Sequence, residues 1–143
     1  MTPAWWNKTL TIYNKAEDPN TGEVTWYAHH IAGCFVKRTA DRAVVGSVAI
    51  ESNASVIRVP QQPDYLPPIE WQALPVSLRG QSLTLQVGDI VVVGAVSDTI
   101  DEYTQGHRSS DLLAKYTDAG AVRIKAVTVN IDLPGPHYKV IGE

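Results

Sequence analysis

A mainly β fold, a small barrel or sandwich of about seven antiparallel strands, is what this sequence predicts, and three observations carry it. Leu10 and Ile12 alternate with Thr9, Thr11 and Tyr13, and Leu83, Leu85 and Val87 alternate likewise, at the two-residue period of a half-buried strand. Ile90-Val91-Val92-Val93 is a continuous apolar run of the sort that belongs to a strand covered on both faces. Clusters of turn-forming residues, Asp18-Pro19-Asn20-Thr21-Gly22, Gly88-Asp89 and Pro134-Gly135-Pro136, punctuate these segments.

Taken in order, residues 1–7 read as an extended N-terminal arm ahead of the first strand. The Asp18 to Gly22 turn leads into residues 24–36, rich in β-branched and aromatic side chains, which close a first hairpin. Residues 42–50 and 54–59 flank Glu51-Ser52-Asn53, a polar connection suited to a second hairpin, and Pro60 ends the pairing because proline has no N–H to donate. Residues 60–82 hold five prolines and form a long loop. Tyr65, Leu66, Ile69, Trp71 and Leu74 make it too apolar for a freely solvated tether. The strand of residues 83–87 then turns at Gly88-Asp89 into the apolar run, a hairpin expected at the centre of the core.

One α-helix is expected, over residues 111–118. Ser109 or Ser110 caps its free N–H groups, Asp111 suits the positive end of its dipole, and Gly120 stands where a left-handed C-terminal cap belongs. Leu112, Leu113 and Tyr116 form its apolar stripe. In residues 122–131 the apolar phase changes, from Val122 and Ile124 to Val127, Val129 and Ile131, which predicts a bulge near Ala126. Residues 137–141 complete the sheet.

At 143 residues the chain supports one domain, 1–143, and its 44% hydrophobic and 19% charged content is that of a folding sequence. The net charge of −3, from 12 basic and 15 acidic residues, offers no basic stripe for a phosphate backbone, so specific nucleic acid binding is not expected. Cys34 is the only cysteine, so no intrachain disulfide forms and cytosolic folding fits best. The start lacks a secretory pattern, and the longest apolar stretch, residues 90–96, is too short to span a bilayer.

Motifs for catalysis or cofactors are missing: there is no nucleophile elbow, Walker loop or dinucleotide fingerprint, so neither an enzyme nor a cofactor is expected. His29 and His30 are adjacent on a strand and point to opposite faces, which prevents them from sharing a metal. Asp98, Asp101, Glu102 and Asp111 lie near His107, but their spacing matches no calcium or zinc pattern and reads as a solvated acidic loop. Cys34 sits in an apolar context and reads as an inert core thiol. Arg108, ahead of the helix, suits a carboxylate on a neighbouring subunit.

Trp5, Trp6, Trp26 and Trp71 are many for this length, and three of them fall outside the best strands. Tryptophan in a terminus or loop fits an association surface, a carbohydrate platform, or burial with the arm folded back. Several stretches then add a resemblance: Trp6-Asn7-Lys8-Thr9-Leu10-Thr11-Ile12-Tyr13, Trp26-Tyr27, Gly33-Cys34-Phe35, Gly88-Asp89-Ile90-Val91-Val92-Val93-Gly94 and Arg108-Ser109-Ser110-Asp111-Leu112-Leu113. Together, over residues 6–142, they resemble an uncharacterised family of small phage and prophage structural proteins of gut Gram-positive bacteria, similar to head-tail connector components. The resemblance implies a head closure, stopper or adaptor protein of the virion that assembles into a ring and contacts the portal or adaptor and tail proteins of its phage. Trp5, Trp6, Tyr65, Leu66, Trp71 and Arg108 are then the expected interface residues. A ligand- or carbohydrate-binding β module using Trp26, Trp71 and Tyr65 as stacking faces is the alternative.

Overall fold

The computed structural model describes residues 6–18, 20–45, 48–117, 120–131 and 136–143. Six antiparallel strands make a mainly β protein: β1 (Lys8–Glu17), β2 (Val24–Val45), β3 (Val48–Pro60), β4 (Ile90–Val93), β5 (Val122–Asn130) and β6 (His137–Gly142). Three short helices, α1 (Pro68–Gln72), α2 (Val76–Arg79) and α3 (Ser109–Lys115), lie in the connections around β4. Strand pairing runs β1-β2-β3-β6-β5-β4 and returns from β4 to β1, so the sheet closes on itself. The closing seam between β4 and β5 is short, with two pairs, Ile90↔Arg123 and Val91↔Val122.

Closure sets where the core sits. Leu10, Ile12, Ile31, Ile57, Val59, Val91, Ile124 and Val140 converge inside the sheet, and Leu83 and Leu85 from the long connection after β3 fill the same interior. On the outside of β1 and β4, Tyr13, Ile90 and Val92 are covered by Ile100 and by Leu112 of α3. The unbroken apolar run of β4 follows from this double coverage, because both of its faces are dry. The phase change in β5 is a bulge, with the register against β6 shifting between Ile124 and Ala126. Val122 and Ile124 are buried before it, whereas Val129 and Ile131 beyond it are exposed.

Three expectations need correction. The strand count is six, because residues expected to open a second hairpin at Arg42 instead continue β2, and Glu51-Ser52-Asn53 is no turn but part of β3, facing Arg42, Asp41 and Ala40. The last rung of the hairpin is Val45↔Val48, several residues ahead of the expected connection. Residues 83–87 form no strand: the backbone N–H and C=O of Thr84 bond the side chain of Asn14, Leu83 N–H donates to Asp64, and Leu83 C=O accepts from Leu66 N–H. Side-chain and loop partners thus satisfy backbone groups that a ladder would have taken. The expected helix starts two residues early and ends at Lys115, while Gly120 does take a positive φ of 84° after it. The proline-rich loop is folded and carries α1 and α2.

Gly142 marks the tightest point of closure. It pairs Ser55 on one side and Ile124 on the other, and a Cβ there would stand 2.5 Å from Val122 Cγ2 and 3.2 Å from Arg123 O. Gly142→Ala is expected to lower stability by about 1–3 kcal/mol in urea denaturation, and adding Val122→Ala is expected to recover part of the loss, since overpacking is its cause.

Candidate interaction site

The interface residues expected from sequence are spread across the molecule. Trp5 lies outside the described residues. Trp6 is buried, tilted against Phe35 and edge-on to His137 at 5.5 Å. Trp71 is fully buried at 0% exposure. Its indole N–H donates to Arg79 O at 3.2 Å and Ser82 O at 3.0 Å, and its ring meets Tyr27 edge-on at 5.7 Å. Tyr65 stacks on Tyr138 with ring centroids 4.1 Å apart, and Leu66 is half-buried beside it. In this subunit Trp6 and Trp71 are therefore spent on intramolecular packing as the loop folds back and plugs the barrel, whereas Tyr65 and Leu66 keep part of their surface exposed. Period and composition could not distinguish a buried loop tryptophan from an exposed one, because only the fold-back of α1 decides it.

Arg108, the residue preceding α3, is the one among the described interface candidates that is exposed. The serines do not cap this helix. Asp111 Oδ2 accepts from Arg108 N–H at 3.1 Å and Glu102 Oε1 accepts from Ser109 N–H, so two carboxylates hold the first free donors. The other acidic side chains nearby are also engaged locally. Lys115 and the Tyr116 hydroxyl bond Asp98 and hold its carboxyl below the ordinary range; the Tyr103 N–H and Thr104 hydroxyl do the same for Asp101. Among the described residues no three His, Cys, Asp or Glu side chains converge to hold a metal ion. His29 faces inward beside Ile12 and burial lowers its pKa, whereas His30 faces outward and bonds Val96 O. Burial pushes the Cys34 thiol up to about 12, which keeps it protonated and unreactive.

What the fold leaves open is backbone. Beyond Ser55↔Gly142, β3 loses β6 as a partner, and beyond Lys8↔Cys34, β2 loses β1. Seven rungs, from Thr39↔Ala54 to Val45↔Val48, therefore form a two-stranded ribbon that no third strand flanks among the described residues. Six of the eight residues from 43 to 50 are Ala, Val or Ile. A second open edge lies in β5. After Arg123 it has no partner in β4, so residues 125–130 pair with β6 alone, and this edge presents Val129 at 48% exposure, with Ile131 following at 42%. The ribbon leaves the β3-β6-β5 ladder at the end marked by Ser55, Gly142 and Ile124, whereas the open edge of β5 runs along the ladder from beside that end to Asn130, opposite His137.

A buried polar cluster fixes the plug that separates these ends. Asp89, fully buried, accepts from Asn14 Nδ2 at 2.8 Å, Lys15 N–H at 3.0 Å and Gln86 Nε2 at 2.9 Å. Gln86 and Gln72 of α1 both donate to Lys15 O, and Gln72 donates to Gln86 Oε1, so β1, α1 and the turn before β4 share one network. Lys15, Glu17, Gln72, Gln86, Val87 and Asp89 line a shallow cleft there of about 300 Å³.

This is a small antiparallel β protein whose sheet closes around a loop plug, with open strand edges rather than a cleft of converging reactive groups as its distinctive surface. The chain belongs to a family of unknown function, DUF6751, whose profile matches residues 5–143. No curated protein matches it. No helix among the described residues is long and apolar enough to cross a membrane.

Two measurements check the plug. Trp71→Phe removes the indole donor and leaves the Arg79 and Ser82 carbonyls short of a partner, with an expected loss of about 1–3 kcal/mol; Trp71→Ala is expected to cost about 3–5 kcal/mol, both read by urea denaturation. Burial raises the Asp89 carboxyl from 3.8 to about 7, against the opposing pull of the Lys15, Gln86 and Asn14 N–H groups. Between those values the folded chain holds a proton that the unfolded chain has lost, so this group makes stability fall as pH rises from 4 to 7. Melting temperatures across that range should show the slope in the wild type and lack it in Asp89→Asn.

Proposed function

We propose that this protein is a non-enzymatic structural component of a phage particle, a head closure or adaptor ring subunit at the junction of head and tail that works by subunit association. The observation that carries the reading is the two-stranded ribbon beyond the barrel. Isolated two-stranded hairpins are marginal in water, and an unpaired edge is a template for another chain. A ribbon of seven rungs is a costly feature in a protein that acts alone and a useful one in a subunit that must grip a neighbour. The sequence resemblance to head-tail connection proteins supplies the setting, with the portal or adaptor and tail proteins of the same phage as partners and the virion as its location.

In a ring, one face of each copy meets a different face of the next, so the contact is heterologous and two dissimilar surfaces on one chain are required. A ribbon projecting from one end of the ladder and an open edge along its side meet that requirement. The barrel and its plug supply rigidity.

Two experiments test this. Mass spectrometry of purified particles from a phage carrying the gene should find the protein in the virion, and deleting the gene should leave filled heads and free tails that do not join. Replacing residues 39–54 by a two-residue Asn-Gly turn is expected to leave a folded barrel, by far-ultraviolet circular dichroism, that no longer assembles in sedimentation velocity. Intact, infectious particles from the deletion strain would sink the proposal.

A further inference from the structure

We propose that the receiving site for the ribbon is the open edge of β5 at residues 125–130 in a second copy of this chain, and that the contact is made by strand addition. The inference rests on the assembly reading above and adds to it the surface, the occupant and the mode of binding.

The first argument is the geometry of β5. Its ladder with β6 holds from Ala126↔Ile141 to Asn130↔His137, while its pairing with β4 ends at Arg123. Just past that seam the turn before β4 still reaches it, through Gly88 N–H to Ile124 O at 2.9 Å and Ile124 N–H to Asp89 O at 2.8 Å. Along residues 125–130 no backbone group among the described residues bonds the outer edge. Proteins usually blunt such an edge with charge, proline or a covering loop. Lys125 does so at its start, but Val129 within the edge and Ile131 just past it stay apolar and exposed. An added strand would satisfy the free N–H and C=O groups and cover those side chains together.

The second argument is fit of length and area. Six residues of open edge meet a ribbon whose strands each run seven residues beyond the barrel. At about 3.3 Å per residue the ribbon is roughly 23 Å long; with a cross-section near 10 Å each way its whole surface is roughly 900 Å². One partner of a stable interface contributes about 800 Å². A ribbon that pairs by one edge and lays one face against the barrel wall covers about half of its surface, roughly 450 Å², and each copy in a ring, giving one ribbon and receiving another, buries such an area twice.

The directions of ribbon and edge select the occupant. The ribbon leaves the barrel at the end marked by Gly142 and the open edge runs toward the end marked by His137, so the ribbon of one chain is directed away from its own edge. A second copy supplies both elements in the right relation, and each copy then gives a ribbon on one side and receives one on the other.

The test is disulfide trapping. Cys34 is fully buried and does not compete. One protein carries a cysteine at Val44, or in a second version at Val45, so that both alternating positions of the ribbon are sampled; the other carries Thr128→Cys in β5. Mixing the two under mild oxidation is expected to give a crosslinked dimer that needs both cysteines. Val129→Lys should weaken self-association at least about tenfold in sedimentation equilibrium, by placing a charge on the pairing edge, with no change in melting temperature. Assembly that persists without the crosslink and is indifferent to Val129→Lys overturns this inference and leaves the assembly reading standing. A chain that stays monomeric at millimolar concentration overturns both.

Discussion

The buried carboxylate of Asp89 is the point on which the rest of the architecture hangs. Its residue is fully enclosed, and its three named partners, Asn14 Nδ2, Lys15 N–H and Gln86 Nε2, are all donors. A carboxylate so placed is held by directed hydrogen bonds and no ion pair among the described residues, so its position is sharply defined. Burial without a countercharge explains why it holds its proton to about pH 7. Through Asn14, which also bonds both backbone groups of Thr84, the same cluster captures the segment that delivers Leu83 and Leu85 to the core. Remove the cluster and the plug loses its register against β1, and with it the filling of the barrel.

This network also explains how a sheet with so thin a closing seam holds together. The β4 to β5 contact has two rungs, too few to resist opening alone. The turn at Gly88 and Asp89 extends it by two backbone bonds to Ile124, and Asp89 ties that turn to β1 on the far side of β4. Apolar burial on both faces of β4 then locks the seam from inside and outside. Where the turn ends, pairing ends, and the remainder of β5 is left as an edge.

Much of this was legible in the sequence, and what was not has physical causes. The two-residue period located β1, the continuous run located β4, and the change of phase after Ile124 announced the bulge, because each reports directly on which faces are dry. The hairpin of β2 and β3 was misplaced because Glu51-Ser52-Asn53 is polar without being a turn: composition marks a break there, while the ladder runs through it and pairs these residues with Arg42, Asp41 and Ala40. Residues 83–87 carried a strand's period but not its partner, since Asn14 had already taken the backbone of Thr84. The polar cluster itself was unreadable. Asn14, Gln72, Gln86 and Asp89 are separated by up to 75 positions, and nothing about an isolated Gln or Asn says that it is buried. The open edges were equally hidden, because an edge is a property of pairing rather than of any residue.

The contrast between the two halves of the molecule has a thermodynamic meaning. Ordering a residue costs about 1–2 kcal/mol of backbone entropy, and in the barrel that cost is offset by a shared apolar interior. The ribbon orders fourteen residues, seven in each strand, in a ladder that no third strand flanks among the described residues. A two-stranded ladder is marginal in water without a third strand, so the ribbon's backbone bonds offset less of that entropy than those of the closed sheet.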